Sequence, residues 1–402
     1  MSLRLLLGAF GDPGHAFPIL ALGRALAGRG HDVTVQTWAR WQPEVEAEGM
    51  RFAAAPEYQV FPTQDRPLKP YQAVVRATRE TVPLVEEVRP DAVVADILTL
   101  APALAGELRG VPVATLVPHV WPDGAAGWPP YAIGARLPRT PAGRWLWGRV
   151  ERVTRAGLEQ GRVELNETRS RLGLAPLDRV HGGISDRLAL VATLPQLEYP
   201  RAWPSHVHVV GPLLWELPCE DVEPPPGDEP LVLVAPSTVH DPSGRLLRAT
   251  LEALADEPVR VLAVWNRRPA PAGIDLEVPP NARVVEWLSY SRTMPLCDIV
   301  ISHVGHGTVV RALVSGCTVI ACPEAGDMAE NAARIDWAGV GVRIPRRFVG
   351  PRALRLAVRR ALRDDAMRAR VREVAAWSAA HDGAARAASL VEGLVPSGAA
   401  SR

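Results

Sequence analysis

The stretch Val300-Ile301-Ser302-His303-Val304-Gly305-His306-Gly307-Thr308-Val309-Val310-Arg311 decides how the chain is read. It opens as an apolar run of the kind a buried parallel strand presents. Glycines at 305 and 307 then turn the chain, and Val309, Val310, Leu313 and Val314 recur at helical spacing. At such a corner the first amides of the helix point outward with the positive end of its dipole, and glycines let an anion approach the backbone. His303, closing the strand, can donate to the same anion. The same corner also occurs in α/β domains without a ligand, and one glycine motif does not decide between the two.

Working outward, Ser2 to Phe10 is a second near-continuous apolar run. Gly11 to His15 turns, Pro18 to Ala27 carries helical spacing, Gly30 stops it and Asp32 to Thr37 reads as a strand, which makes a βαβ unit. Further strands are expected at Asp91 to Asp96, Val111 to Val117, Leu188 to Ala192 and Val207 to Val210. Residues 55 to 80 lose periodicity and read as a long loop with Tyr58 and Phe61. Residues 118 to 150 read as an aromatic loop with Trp121, Trp128, Tyr131, Trp145 and Trp147, and a helix is expected from 152 to 172. Cys219 to Pro230 is acidic and proline-rich. A second βαβ series follows, with strands at Leu231 to Ala235, Val259 to Trp265 and Ala282 to Glu286. Residues 352 to 394 read as helical, and 396 to 402 as a disordered tail. The expected architecture is α/β, two doubly wound domains facing each other across a cleft. Their bounds are 1–212 and 231–375, with a linker at 213–230 and a last helical segment at 376–402.

Size agrees, since 402 residues are too many for one ordinary core and suit two domains of ~200 each. Lys+Arg 45 against Asp+Glu 44 leaves a net charge of +1, so neither nucleic acid nor an anionic membrane is an expected partner. Lys69 is the sole lysine. The cysteines at 219, 297, 317 and 322 show no metal or redox spacing. The apolar start is too short for a signal-peptide core and no run approaches a membrane helix, so a cytoplasmic location is expected. His206 and His208 share a strand face but have no third ligand in sequence reach, so no metal site is expected. No cofactor is expected either.

A histidine and a carboxylate at one sheet edge can act together as a general base and the group that orients it. His15 is a base by type, and Asp96 ends another parallel strand on the same edge, where it can orient an imidazole. From type and position alone the two read more readily as a packed loop residue and a helix cap.

A longer pattern changes that balance. Trp287, the opening stretch, Ala312-Leu313, Gly316, Pro323, Asp327, Asn331-Ala332, Arg334 and Gly339-Val340-Gly341 are joined by the early turn Gly14-His15-Ala16-Phe17-Pro18. Together they resemble the metal-independent, two-domain (GT-B) glycosyltransferases that modify small lipophilic molecules, bacterial antibiotics among them. The resemblance implies His15 as base held by Asp96, and Thr238, His303, Gly305, Gly307 and Thr308 on the donor diphosphate. It implies Trp287 and Leu288 on the nucleobase, and Asp327 and the residue after it on the sugar. It also implies that the last helix returns to the first domain. The aromatic loops offer Tyr58, Phe61, Trp121 and Trp128 to an apolar acceptor. Departures occur where Arg311 replaces a ribose-binding Glu and Met328 a sugar-binding Gln, and where Val304, Ser237 and Thr318 replace Gly, Gly and Pro. Arg311 cannot accept a hydrogen bond, so ribose recognition there is lost or redirected to phosphate. The expected function is an inverting transfer from a nucleotide sugar, with a thymidine-diphosphate deoxysugar favoured. The alternatives are a non-catalytic relative that binds sugar nucleotide, aglycone or a partner transferase, and a two-domain sugar-nucleotide epimerase. The oligomeric state stays open, a homodimer included.

Overall fold

Leu5, Leu6 and Leu7 are fully buried, which a strand achieves only with neighbours on both edges and helices on both faces. They form the middle of β1 (Arg4–Gly8). The computed structural model describes residues 2–56, 70–237, 241, 243–267, 269–271, 273–274 and 276–395. Its first sheet comprises β1, β2 (Asp32–Thr37), β3 (Arg51–Ala54), β4 (Ala92–Asp96), β5 (Val113–Val117), β6 (Ala189–Val191) and β7 (Val207–Val209). Their order is β3-β2-β1-β4-β5-β6-β7, all parallel. The second comprises β8 (Leu231–Ala235), β9 (Arg260–Val264), β10 (Ala282–Val285), β11 (Ile299–Ser302), β12 (Thr318–Ala321) and β13 (Gly341–Arg343). Its order is β10-β9-β8-β11-β12-β13, again all parallel. Each sheet therefore reverses its winding once, between β1 and β4 and between β8 and β11. At such a switch point a crevice opens at the carboxyl ends of the strands.

With the first sheet run α1 (Pro13–Ala27), α2 (Gln42–Ala47), α3 (Pro70–Val88), α4 (Leu100–Leu108) and α5 (Pro141–Leu172). With the second run α6 (Arg245–Leu254), α7 (Tyr290–Thr293), α8 (His306–Val314), α9 (Met328–Ala338), α10 (Pro351–Arg363) and α11 (Asp365–Ala379). The last helix, α12 (Gly383–Leu394), lies against the first sheet's side, where Ala387, Ala388 and Val391 share one core with Ile19, Leu20 and Leu26 of α1. Arg29 fastens it through Ser389 Oγ and Glu392 at 2.9 Å each, and His31 Nε2 meets Glu392 at 2.9 Å. The chain makes this crossing where Gly383 abuts Gly211 and Pro212. A Cβ on Gly383 would sit 2.7 Å from the Pro212 carbonyl oxygen, so nothing larger fits without a shift.

Four expectations change. Helix α1 begins at Pro13, so His15 stands in its first turn rather than in a loop. Helix α3 begins at Pro70 inside the stretch read as a loop to residue 80. Val75, Thr78, Thr81 and Val85 form its buried stripe, and a proline at the first helical position lacks only an amide with no partner anyway. Helix α5 starts at Pro141, so Trp145 and Trp147 stand on a helix, with Trp145 63% exposed. The segment 352–394 is three helices. Asp364 and Asp382 interrupt it, accepting from the amides of Met367 and Ala385 at 2.9 Å each as caps. The expected tail at 396–402 lies outside the described residues.

Candidate active site

The two switch points face one cleft, a cavity of about 390 Å³. Pro13, Gly14 and Pro18 border it from α1, the segment Leu213 to Leu217 from the connection between β7 and β8, and His303 to Thr308 from the second sheet.

On the first sheet, His15 Nδ1 lies 2.7 Å from Asp96 Oδ1. Asp96 is 1% exposed, and its other oxygen takes a 3.4 Å contact from the Phe10 amide. Burial pulls the His15 pKa down, but the hydrogen bond and charge of Asp96 outweigh it, and the net shift is upward. With Nδ1–H committed to the carboxylate, Nε2 is left with a lone pair. His119 stands 6.5 Å away, ring to ring, its own pKa lowered by burial, and Tyr131 O–H reaches it at 3.2 Å. The negative charge of Asp327, at the N-terminus of α9, is felt by both histidines.

Phe10, 6.0 Å from the His15 ring, is shared with a smaller apolar cavity of about 90 Å³. Trp38, Pro56, Val74, Leu98 and Leu100 line it at the carboxyl edge of β1, β2 and β4. None of these was singled out by the sequence, although Trp38 follows β2 directly and could have been found as an aromatic at that edge. Gly11 makes room for it, since a Cβ there would strike the Trp38 ring at 2.0 Å.

On the second sheet, the first bond inside α8 runs from the Val309 amide to the Gly305 carbonyl at 3.1 Å, so the amides of 306 to 308 have no intrahelical partner. Gly305 and Gly307 face open space where any Cβ would intrude. Val304 holds φ +57 and is fully buried. A β-branched residue is strained in this left-handed region, so the backbone keeps a conformation natural to glycine after glycine is gone. His303 Nδ1 accepts from the Ser237 amide at 2.8 Å, which places its proton on Nε2. Trp287, Leu288, Asn266 and Tyr290 border the far end of the same cleft, and Met328, 8% exposed, borders the near end.

The structure thus brings His15 and Asp96 together, and gathers Trp287, Leu288, His303, Gly305, Gly307, Thr308, Arg311 and Met328 around one cavity, with Asp327 beside it. It does not bring Trp121 and Trp128 there. Trp121 is buried among Val117, Ile184, Val191 and Val207, and its amide donates to Glu198 at 2.6 Å. Trp128 packs edge-on to Tyr199 at 5.3 Å and under the Arg201 guanidinium at 4.7 Å. Trp128 belongs to a buried contact between the halves centred on Arg334, which binds Glu198 at 3.1 Å and Glu330 at 2.8 Å, and Trp121 joins it only through its amide. An aromatic-rich segment signals burial of large surface, and here that surface is a domain contact. Tyr58, Phe61 and Thr238 lie outside the described residues. Arg311 contacts Trp215 and Glu216 rather than the glycine corner.

Two doubly wound parallel-sheet domains facing one cleft make the fold that of the GT-B glycosyltransferases. Residues 250–393 match the model of the erythromycin biosynthesis protein CIII-like C-terminal domain. The chain is 27% identical to 4'-demethylrebeccamycin synthase of Lentzea aerocolonigenes, with 98% of this chain and 100% of that one covered. It is 28% identical to O-mycaminosyltylonolide 6-deoxyallosyltransferase of Streptomyces fradiae, with 97% of each covered. Among solved structures it superposes on the calicheamicin glycosyltransferase with a TM-score of 0.76 at 25% identity, covering 99% and 100% of the two chains. The chain is a nucleotide-sugar-dependent glycosyltransferase, and bacterial natural-product glycosyltransferases are among its relatives. Among the described residues no helix is long and apolar enough to cross a membrane.

Proposed function

We propose that the chain moves a hexose from a nucleoside diphosphate to a hydroxyl of an apolar natural product, with inversion, and that residues 1–212 carry the acceptor and 231–375 the donor. The observation that carries this reading is the 2.7 Å contact of Asp96 with His15 in the first turn of α1, whose neighbours Pro13, Gly14 and Pro18 line the cleft that His303 to Thr308 border from the second sheet. His15 Nε2 takes the acceptor proton as the hydroxyl oxygen attacks the anomeric carbon. The bond from that carbon to the diphosphate oxygen breaks on the opposite face, and its electron pair leaves with the diphosphate. Asp96 stabilises the imidazolium that forms. The free amides of α8 and the Nε2–H of His303 receive the developing charge, so no metal is required. The apolar cavity at Phe10, Trp38 and Leu98 suits the acceptor.

The donor we favour is a thymidine-diphosphate deoxysugar. Met328 offers no hydrogen bond to a sugar hydroxyl, and its polar neighbours are committed elsewhere. Glu330 binds Arg334 at 2.8 Å, and Asn331 spans the Val304 carbonyl at 3.0 Å and His306 at 3.3 Å. A buried unpaired hydroxyl costs ~1 to 3 kcal/mol, which disfavours a fully hydroxylated hexose by about one to two powers of ten. The 6-deoxyallosyltransferase among the relatives is consistent with this choice. Competition of a thymidine-diphosphate deoxysugar against uridine-diphosphate glucose on one acceptor tests it. The expected outcome is a deoxysugar product, with Met328→Gln moving the ratio toward glucose. A clear preference of the wild type for uridine-diphosphate glucose would refute the donor assignment.

A further inference from the structure

One wall of the cleft is supplied by neither sheet. Glu216 lies in the segment between β7 and β8 and borders the cavity together with Trp287, Arg311 and Thr308. Its Oε1 accepts from Ser289 Oγ at 2.6 Å, and its two oxygens share the Ser291 amide at 3.3 and 3.1 Å. Ser291 Oγ donates to Oε1 as well. Arg311 Nη2 stands 3.9 Å from Oε2 and 3.4 Å from the Trp215 carbonyl. Burial alone would raise the carboxyl pKa, but the two serines and Arg311 outweigh it and the net shift is downward. Glu216 is the sole carboxylate among the described residues lining this cleft.

A nucleoside diphosphate with its base at Trp287 and its phosphates at α8 must lay its pentose between the two. Pentose hydroxyls are donors in need of an acceptor, and Arg311 has none to offer. We propose that Glu216, delivered by the interdomain segment, accepts the hydrogen bond of the pentose 3'-hydroxyl and sets specificity for it, with Arg311 as the residue that positions Glu216. The proposal rests on the donor reading above. It gives Arg311 a reason to stand at 311 without touching phosphate, because the acceptor it cannot be is the one it holds.

Calorimetric titration of the full chain with thymidine diphosphate, its 3'-deoxy analogue and inorganic pyrophosphate tests this. The wild type should bind thymidine diphosphate at least about ten-fold more tightly than the 3'-deoxy analogue, since a hydrogen bond to a charged group is worth roughly that much or more. In Glu216→Gln, checked for an unchanged melting profile, the ratio should fall below about three. Arg311→Met should shrink the same ratio and leave pyrophosphate affinity unchanged. A wild type that binds both nucleotides alike overturns the proposal without any variant, and so does an undiminished ratio in Glu216→Gln. Loss of pyrophosphate affinity in Arg311→Met would return that residue to the phosphates. A folded wild type that binds neither nucleotide would instead refute the donor reading itself.

Discussion

His15 and His303 stand at the carboxyl edges of two sheets with the same strand order, and their imidazoles are held in opposite senses. In the first sheet the histidine follows β1 and its partner, Asp96, ends β4. In the second the partner, the Ser237 amide, follows β8 and the histidine directly follows β11. The carboxylate accepts from Nδ1–H and leaves Nε2 ready to take a proton. The amide donates to Nδ1 and places the proton on Nε2, which stands 4.0 Å from Asp241 Oδ2. One backbone plan and one residue type thus hold two imidazoles in opposite senses, which in the proposed mechanism makes one a base and the other an anion donor.

The largest effect should follow removal of the base. His15→Ala is expected to lower turnover at saturating donor by about 10²-fold or more, with the dissociation constant of the diphosphate nearly unchanged by calorimetry. A loss appearing only as weaker donor binding would break the contrast between the two histidines. Asp96→Asn sharpens the same point through pH. His15 must be neutral to act, and its pKa is raised above the ordinary imidazole value, so the wild-type rate should rise with pH through a value above that of a free imidazole. Removing the carboxylate leaves burial as the dominant influence, which favours the neutral ring. The acid limb of the profile should therefore move to lower pH while the maximal rate falls, and a limb that stays in place would show that Asp96 does not set the pKa.

His303→Ala should act in the reverse way, weakening diphosphate binding by about ten-fold with a smaller change in turnover once donor is saturating. The smallest effect on chemistry is expected from Gly383→Ala, which crowds the Pro212 carbonyl and neither histidine. Overpacking of this kind costs ~1 to 3 kcal/mol, read as a lower melting temperature with donor affinity intact. A loss of turnover without loss of stability there would show that the crossing itself tunes the cleft.

Much of this could be read from the residues because parallel strands buried on both faces are written as continuous apolar runs, as at Leu5 to Leu7 and Val300-Ile301. The glycine corner and the turn at Gly14-His15 were legible because each is local in sequence. Helix α3 was hidden because prolines at 67, 70 and 83 look like breakers, although Pro70 sits where a helix tolerates one. Trp121 and Trp128 were misplaced because sequence shows that an aromatic will be buried and not against what. Glu216 went unnoticed because its meaning comes from Ser289, Ser291 and Arg311, which reach it only in the folded chain. Val304 was visible as a departure from glycine, but not that the left-handed backbone would persist beneath it.

The seat of α12 on α1 also bears on how the protein is made. The apolar stripe of Ile19, Leu20 and Leu26 leaves the ribosome long before Ala387, Ala388 and Val391, which cover it. At ~5 to 20 residues per second, the intervening stretch takes on the order of 20 to 70 s to synthesise. For that interval the amino-terminal half carries an open hydrophobic seam. Closure of this core therefore waits until the whole second sheet has been made, and a polypeptide cut short after α11 would keep its second-sheet half whole and its other half sticky.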